Sequence, residues 1–215
     1  MLGARKPREV ISHAFGPVAR TLARLGVGPD AMTWVGTILT VSAALGLLIP
    51  GYFVVGPLVV AACALIDSID GLIARLTGTS SSWGAFLDST LDRIGDAAVF
   101  GSLCLHFLVL AEPSGLVEVA IGVLALIALV AGMVTSYAKA RAQSLGFTCE
   151  GGLMERADRL AVVLLGTWLT GLFGAWWGAW PLLVALIVLV AASAWTVAQR
   201  IAIVARQRHS ATDAL

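Results

Sequence analysis

Apolar residues run along this chain in six long stretches, each close to the length of a membrane-spanning helix. A helix crosses the hydrocarbon core of a bilayer with about 20 mostly apolar residues. The stretches lie near residues 31–50, 53–76, 85–109, 117–141, 155–174 and 179–202. The pattern therefore predicts six transmembrane helices, packed as a bundle over residues 30–205.

The last two stretches are separated by a turn rather than by charged residues. Residues 160–198 contain no charged side chain, and a single helix of that length would not match a bilayer. The segment 171–181, rich in Gly, Trp and Pro, is therefore the predicted turn between helices 5 and 6.

Residues 8–25 show a different pattern, with apolar side chains three or four residues apart and basic side chains on another face. The apolar positions are Ile11, Phe15, Val18, Leu22 and Leu25, and the basic ones are Arg20 and Arg24. This spacing predicts an amphipathic juxtamembrane helix on the membrane surface, with a solvated basic arm as the alternative. The first ten residues lack the apolar core and cleavage site of a removable signal peptide.

Composition agrees with a membrane protein and excludes a water-soluble domain of this size. Of the 215 residues, 59% are hydrophobic and 13% are charged, and the mean hydropathy is +0.92. We expect an all-α integral membrane protein with a single membrane-embedded domain, residues 1–215. The three cysteines share no metal-binding spacing, and neither a nucleotide-binding fingerprint nor a nucleic-acid partner is indicated.

All 14 lysines and arginines fall on one side of this predicted bundle. They precede the first helix, border the loops between helices 2 and 3 and between helices 4 and 5, or lie at the end of the last helix and beyond it. The opposite loops, near 50–53, 110–116 and 171–180, contain none. By the positive-inside rule, both termini and the charged loops face the cytoplasm, as in a multi-pass protein of the plasma membrane.

Four aspartates interrupt the apolar pattern where helices 2 and 3 approach their connecting loop. Asp67 and Asp70 are three residues apart and Asp88 and Asp92 are four apart, so each pair shares one helix face. Because the two helices are antiparallel neighbours, all four acids are expected at one depth. An ionised side chain at membrane depth costs about 2.5 kcal/mol or more, and the natural partner of clustered carboxylates is a divalent cation.

These aspartates belong to a longer pattern, D-x2-D-G-x2-A-R-x8-G-x3-D-x3-D. Its members are Asp67, Asp70, Gly71, Ala74, Arg75, Gly84, Asp88 and Asp92. The pattern resembles the signature of the CDP-alcohol phosphotransferase family. The resemblance implies a transferase of phospholipid biosynthesis that moves a phosphatidyl group, or a related phosphoalcohol, from a CDP-linked donor to an acceptor hydroxyl and releases CMP. It also implies six membrane helices, a homodimer and a polar cavity open to the cytoplasm.

The same resemblance implies roles for individual residues. Four aspartates are expected to hold Mg2+, or Mn2+, against the donor pyrophosphate: Asp67, Asp70, Asp88 and Asp92. Asp92 is also the expected general base. The expected ligands of the CDP-lipid are Pro29, Asp30, Thr33, Asp67, Asp70, Gly71, Arg75 and Gly84; the first three belong to PDAMT, residues 29–33, which resembles a second family segment near the cytidine. Asp96 lies outside the signature and its role stays open, with Arg93 or Lys139 as candidate structural partners.

A second group of charged residues stands at the predicted cytoplasmic ends of helices 4, 5 and 6. Its members are Lys139, Arg141, Arg156, Arg159 and Arg200. Gathered in a bundle, these cations would form a positive pocket suited to an acceptor that carries its own phosphate. Charge alone equally allows ordinary positive-inside residues that reach lipid headgroups.

Three segments resemble those of actinobacterial family members whose acceptor is inositol 1-phosphate. They are SYAKAR (136–141), GGLMERADRL (151–160) and AQR (198–200). The resemblance implies transfer of the phosphatidyl group from CDP-diacylglycerol to inositol 1-phosphate, giving phosphatidylinositol phosphate and CMP. The five cations would then bind the acceptor phosphate.

Other functions fit part of the pattern. A sister enzyme that uses glycerol 3-phosphate would need the same cations for its acceptor. A cation transporter or channel would also place acids within the membrane, but it predicts acids spread through the membrane thickness, whereas these cluster near one face. A noncatalytic relative is expected to show a broken signature, and this signature is complete.

Overall fold

A computed structural model describes most of the chain, and its regular secondary structure is helical throughout the described part. The described residues are 16–17, 19–67, 71, 73–74, 78–79, 81–110, 115–149 and 151–212, without the side chains of 67 and 208–212. From residue 29 onward they form the helices α1 (Pro29–Ala43), α2 (Val55–Asp67), α3 (Ser82–Leu105), α4 (Leu116–Ser144), α5 (Arg156–Trp177) and α6 (Trp180–Thr212). Single π-helical turns extend α1 over Ala44–Leu48 and α3 over His106–Leu110.

Five of these helical segments are long and apolar enough to cross a membrane. They are Pro29–Leu48, Ser82–Leu110, Leu116–Ser144, Arg156–Trp177 and Trp180–Gln207. The chain is therefore a multi-pass membrane protein, in agreement with five of the predicted stretches. The remaining stretch, 53–76, contains the shorter apolar helix α2, and most of its residues beyond Asp67 lie outside the described part of the chain.

The amphipathic surface helix predicted over 8–25 falls partly outside the described residues. Its described portion, residues 16–17 and 19–24, is helical. Here the buried Ala19 packs with Met32 of α1 and Ile73, and Leu22 and Val27 lie against that cluster. This short apolar core joins the N-terminal segment to α1.

The chain forms two compact units. The first contains the residues up to Ala43 together with Val59–Gly95, and the second contains Ala44–Leu58 together with the residues from Asp96 onward. The core of the second unit lies between α4, α5 and α6, where Leu182, Leu186 and Leu189 are fully buried. Because these leucines are three or four residues apart, they form one continuous face of α6.

Small residues let the helices of the second unit approach closely. A Cβ on Gly166 of α5 would lie only 2.6 Å from the Ala185 Cβ of α6. The turn between these helices is made by Gly178, whose φ of 55° lies in the left-handed region that favours glycine. The main-chain N–H of Leu182 then donates to Thr170 Oγ1 at 3.1 Å, so that α5 also caps the start of α6. The predicted turn within 171–181 is thus confirmed.

The end of α3 and the segment after α1 are joined by one histidine. His106 Nδ1 lies 2.8 Å from the Ile49 carbonyl oxygen, and its ring contacts Phe53 and Phe107 edge to face. The Phe53 main chain in turn lies directly against Gly171 of α5. A side chain at position 171 would therefore collide with backbone rather than with a movable side chain.

We expect Gly171→Ala to destabilise the second unit. The added methyl carbon would lie 2.5 Å from the Phe53 carbonyl carbon and 2.7 Å from the Val54 nitrogen. Overpacking of this kind costs about 1–3 kcal/mol, so the midpoint of thermal unfolding in detergent should fall by several degrees. The matched control is Gly174→Ala, in the same helix, whose methyl meets nothing within 4 Å. Its midpoint should stay unchanged or rise, and equal midpoints for the two variants would contradict the close contact.

Candidate functional site

A cavity of about 200 Å³ with a mixed polar and apolar lining opens in the first unit, between the start of α1, the start of α3 and the residues that come after α2. Six residues predicted to bind the CDP-lipid or the metal line it: Pro29, Asp30, Thr33, Gly71, Gly84 and Asp88. Residues separated by more than forty positions in the sequence therefore share one surface. Thr79 and Ser81, from the loop before α3, add hydroxyl groups to the lining.

The first turn of α1 supplies one wall of this cavity. Pro29 begins the helix, where its missing N–H is tolerated, and Thr33 Oγ1 donates to the Pro29 carbonyl oxygen at 3.1 Å. Asp30 also lies in the first turn, where the partial positive charge of the helix N-terminus stabilises a carboxylate. Thr33 itself is buried, and this turn contributes Pro29, Asp30 and Thr33 to the cavity lining.

The opposite wall is the first turn of α3, which is linked to Asp30 by a residue that sequence reasoning missed. Trp83 Nε1 donates to Asp30 Oδ2 at 3.1 Å. Next to it, the Gly84 N–H donates to Ser81 Oγ at 3.0 Å, and a Cβ at Gly84 would lie 3.6 Å from Asp30 Oδ1. Nothing in the spacing of the signature indicated Trp83, because its partner lies 53 residues earlier.

Two of the four predicted metal-binding aspartates have described side chains. Asp88 is exposed and lines the cavity, and Asp92 lies one turn further along α3 and is half-buried. Asp67 ends α2, but its side chain lies outside the described residues, as do Asp70 and Arg75. The described lining offers carboxylate and hydroxyl oxygens and neither sulfur nor imidazole. That donor set fits a hard cation such as Mg2+ or Mn2+.

The second unit contains a separate group of charged residues. Among the side chains that the structure describes, the buried charged ones are Asp96, Arg159 and Arg200, with 6%, 4% and 8% of their surface exposed. Asp96 Oδ1 lies 3.1 Å from Arg156 Nε, and Asp96 Oδ2 lies 3.4 Å from Arg159 Nη2. The partners described for Asp96 are thus Arg156 and Arg159, whereas the sequence had suggested Arg93 or Lys139. One carboxylate thus bridges two of the predicted acceptor ligands.

The buried arginines Arg159 and Arg200 reach the same face of α4. A Cβ on Gly132 would lie 2.8 Å from Arg159 Nη1, so a larger residue there would require this guanidinium to shift. One turn further along, Arg200 Nη1 donates to the Thr135 carbonyl oxygen. Because Gly132 and Thr135 are three residues apart, the two guanidinium groups lie about one helical turn from each other.

Arg200 also fixes the loop between α4 and α5. Its Nε donates to the Gly151 carbonyl oxygen at 3.2 Å, and the N–H of Leu153 donates to Thr196 Oγ1 of α6 at 3.1 Å. A Cβ on Gly152 would lie 2.7 Å from Thr196 Cγ2, and its φ of 143° is one that other residues rarely adopt. The paired glycines therefore let this loop lie flat against α6, beside Arg200.

Lys139 and Arg141, the other two predicted acceptor ligands, are exposed on α4. The hydrogen bond described for Arg141 is local, from Nη1 to Ser144 Oγ at 3.5 Å. The described contacts thus bind Arg156 and Arg159 to Asp96 of α3 and Arg200 to α4 and the loop after it, and they leave Lys139 and Arg141 exposed.

Comparison with known proteins identifies the family. The profile of the CDP-alcohol phosphatidyltransferase family matches residues 27–191, which include most of both groups of polar residues described above. The chain belongs to this family of transferases. Its signature residues and its helical membrane architecture are those expected of a member.

Similar proteins of known name come from several actinobacteria. The phosphatidylinositol phosphate synthase of Cutibacterium acnes is 44% identical over 203 residues, which cover 93% of this chain and 96% of that protein. The protein of the same name from Corynebacterium glutamicum is 41% identical and covers 94% of this chain and 88% of its own length.

Solved structures with the same fold include one with CDP-DAG bound. The crystal structure of Mycobacterium tuberculosis phosphatidylinositol phosphate synthase with CDP-DAG bound has a TM-score of 0.79 and 38% identity, covering 87% of this chain and 92% of that one. A second structure of that protein, in complex with manganese and citrate, also has a TM-score of 0.79 and is 39% identical, covering 87% of each chain.

Proposed function

We propose that this chain transfers the phosphatidyl group of CDP-diacylglycerol to inositol 1-phosphate, giving phosphatidylinositol phosphate and CMP. An acceptor hydroxyl oxygen attacks the phosphorus that bears the diacylglycerol. The bond from this phosphorus to the bridging pyrophosphate oxygen breaks, and CMP leaves with the electron pair. The attacking hydroxyl loses its proton, so the reaction needs a base as well as groups that bind the two phosphates.

The donor half of this proposal rests on the cavity of the first unit. Asp67, Asp70, Asp88 and Asp92 are proposed to hold Mg2+ or Mn2+, and the oxygen donors that line the cavity suit these ions. When bound, the ion neutralises charge on the pyrophosphate oxygens. Around it we assign the nucleotide and its phosphates to Pro29, Asp30, Thr33, Gly71, Arg75 and Gly84. A named relative of similar fold binds CDP-DAG, and another structure of it contains manganese.

Asp92 is proposed as the base that takes the proton from the acceptor hydroxyl. It lies four residues after Asp88, which lines the cavity, so the two carboxylates share one face of α3. Asp92 is half-buried, whereas Asp88 is exposed. A carboxylate that is one helical turn from the cavity lining, and partly sheltered from water, suits the proposed role of accepting a proton from the acceptor hydroxyl.

The observation that carries the acceptor assignment is the excess of buried positive charge among the described side chains of the second unit. Arg159 and Arg200 are buried, whereas Asp96 is the one buried carboxylate among the described side chains. The bonds described for Arg200 go to neutral carbonyl oxygens. An acceptor that carries its own phosphate would bring further negative charge beside these arginines. We assign this phosphate to Arg156, Arg159 and Arg200, with the exposed Lys139 and Arg141 as further ligands.

The proposal includes an arrangement in the membrane. We propose six membrane spans, with α2 as the core of the second, and an amphipathic surface helix over 8–25. Because all lysines and arginines fall on one side of such a bundle, both termini and the substrate sites would face the cytoplasm. We further propose that residues 1–215 act as one membrane-embedded domain and assemble as a homodimer in the plasma membrane.

The first test is an acceptor comparison with purified protein in detergent. CMP release from CDP-diacylglycerol and Mg2+ should depend on inositol 1-phosphate and should be small with free inositol, which lacks the phosphate. Replacing Mg2+ by a chelator should abolish release. Glycerol 3-phosphate is the critical competitor, because it offers the same phosphate group on a different alcohol.

The outcomes separate the parts of the proposal. Preference for glycerol 3-phosphate would refute the inositol assignment but keep the phosphorylated acceptor. Equal rates with free inositol and inositol 1-phosphate would refute the role of the buried arginines. The absence of release with every acceptor, from protein shown to be folded, would refute the proposed reaction.

Asp92→Asn should abolish turnover while leaving donor binding largely intact. The substitution keeps the size of the side chain but removes its ability to accept a proton at neutral pH, and loss of a general base costs about 10²–10⁴ in rate. CMP release and the binding of CDP-diacylglycerol would be measured on the same preparation. A variant with wild-type turnover would contradict the assignment of Asp92 as the base.

Trp83→Phe should weaken the binding of CDP-diacylglycerol and leave the binding of the acceptor unchanged. The ring and its contact with Phe86 are kept, but Asp30 loses the indole N–H at 3.1 Å. Because this bond is exposed to water, it contributes about 0.5–1.5 kcal/mol, so the KM for CDP-diacylglycerol should rise about two- to tenfold. Trp195→Phe, at a tryptophan that is equally exposed, is the matched control. A similar rise in both variants would contradict a role for the bond between Trp83 and Asp30.

A further inference from the structure

We propose that Asp96 is a positioning residue for the acceptor phosphate. Its carboxylate orients the guanidinium of Arg156 and balances the buried charge of Arg159, so that both arginines are held ready for a phosphorylated acceptor. This inference rests on the proposed function and concerns a residue outside the family signature. Asp96 itself is not assigned a contact with substrate.

The geometry of the carboxylate is that of a bridge. Oδ1 lies 3.1 Å from Arg156 Nε, and Oδ2 lies 3.4 Å from Arg159 Nη2. Each oxygen thus faces a different arginine, and only 6% of the surface of Asp96 is exposed to solvent. In such a place a charged hydrogen bond is not weakened by competing water, so it constrains the side chains strongly.

Arg156 and Arg159 both lie in the first turn of α5, which is held by a capping box. Arg156 is the first residue of α5 and Arg159 lies one turn later, so their side chains share one face of the helix. Glu155 and Asp158 form a capping box, with the Glu155 N–H donating to Asp158 Oδ2 at 2.9 Å. Both capping acids are exposed. Their charge is therefore screened by water, unlike that of Asp96.

The start of α5 is an unfavourable place for two cations. The N-terminus of a helix carries a partial positive charge, which repels arginines in the first turn. Arg159 is also buried, with 4% of its surface exposed, and a buried charge needs a partner. Asp96 offsets the repulsion from the helix N-terminus and is also a partner for the buried Arg159, because it places one negative charge between the two guanidinium groups.

Arg156 differs from Arg159 in being accessible. Its side chain is 26% exposed, whereas Asp96 and Arg159 are almost fully covered. The bond from Nε to Asp96 fixes the plane of the guanidinium, and a planar fork held in one orientation loses less freedom when it binds a phosphate. Asp96 would thus act on the acceptor through Arg156.

If Asp96 positions Arg156, Asp96→Asn should change acceptor binding in the opposite direction from that expected for the loss of one negative charge alone. Removal of a negative charge beside the arginines should by itself strengthen the binding of an anionic acceptor. If the carboxylate orients Arg156, its loss should instead weaken acceptor binding, although the site becomes more positive. The sign of the change therefore identifies the role.

The experiment measures the KM for inositol 1-phosphate, the KM for CDP-diacylglycerol and kcat for Asp96→Asn in detergent with Mg2+. We expect the acceptor KM to rise by about tenfold, as for one lost charged hydrogen bond, with the donor KM nearly unchanged. Asp158→Asn is the matched control. Asp158 lies in the first turn of α5, as Arg156 and Arg159 do, but it accepts a hydrogen bond from the Glu155 N–H. An unchanged or lowered acceptor KM, or equal rises in both KM values, would overturn the inference.

A second pair of variants guards against loss of the fold. Asp96→Asn leaves Arg159 buried without this carboxylate, whereas Asp96→Asn combined with Arg159→Gln removes both charges together. The acceptor KM of this double variant should exceed that of Arg159→Gln alone, because Arg156 loses its orienting partner in the double variant only. Equal acceptor KM values for these two proteins would overturn the inference.

Direct binding separates this inference from the proposed reaction. Calorimetry with inositol 1-phosphate, with inorganic phosphate and with glycerol 3-phosphate requires no turnover. If wild-type protein binds a phosphorylated alcohol but does not release CMP, the proposed function fails, and weaker binding by Asp96→Asn would still support the positioning role. Equal binding by wild type and Asp96→Asn would overturn the positioning role even where the reaction itself is confirmed.

Discussion

The need to pair buried charge constrains this molecule more than any other interaction. A chain this apolar offers little water to an ionised side chain inside its helices, so each buried charge must meet a partner of opposite sign or a strong dipole. In the second unit Asp96 meets Arg156 and Arg159, while Arg200 donates to main-chain carbonyl oxygens at Thr135 and Gly151. These contacts join α3, α4, α5, α6 and the loop between α4 and α5.

The same constraint explains why glycines lie beside the charged side chains. Gly132 leaves room for the Arg159 guanidinium, and the paired glycines at 151 and 152 allow the loop to lie against α6 beside Arg200. In the first unit the start of α3 is joined to Asp30 by the Trp83 N–H, which donates to the Asp30 carboxylate. Glycine thus provides space for polar groups as well as for the close packing of helices, as at Gly166 and Gly171.

Membership of the CDP-alcohol phosphatidyltransferase family gives these contacts a chemical setting. The carboxylate and hydroxyl oxygens in the cavity of the first unit suit a metal ion and the phosphates of a nucleotide, and the arginines of the second unit suit a second phosphate. Transfer between a nucleotide-linked lipid and a phosphorylated alcohol requires both kinds of site. Asp96 connects the stability of the protein to its proposed specificity, since the contact that allows Arg159 to be buried also orients Arg156.

The sequence by itself determined the helical membrane class, five of the long apolar spans, the turn near Gly178 and the family, because apolar run length and the spacing of acids on a helix are local properties. It also identified six residues of the cavity in the first unit. Only the tertiary structure decided the partners of Asp30 and Asp96, and which of the five cations are buried. Those contacts join residues about 50 to 65 positions apart, and helical periodicity carries no information over such distances.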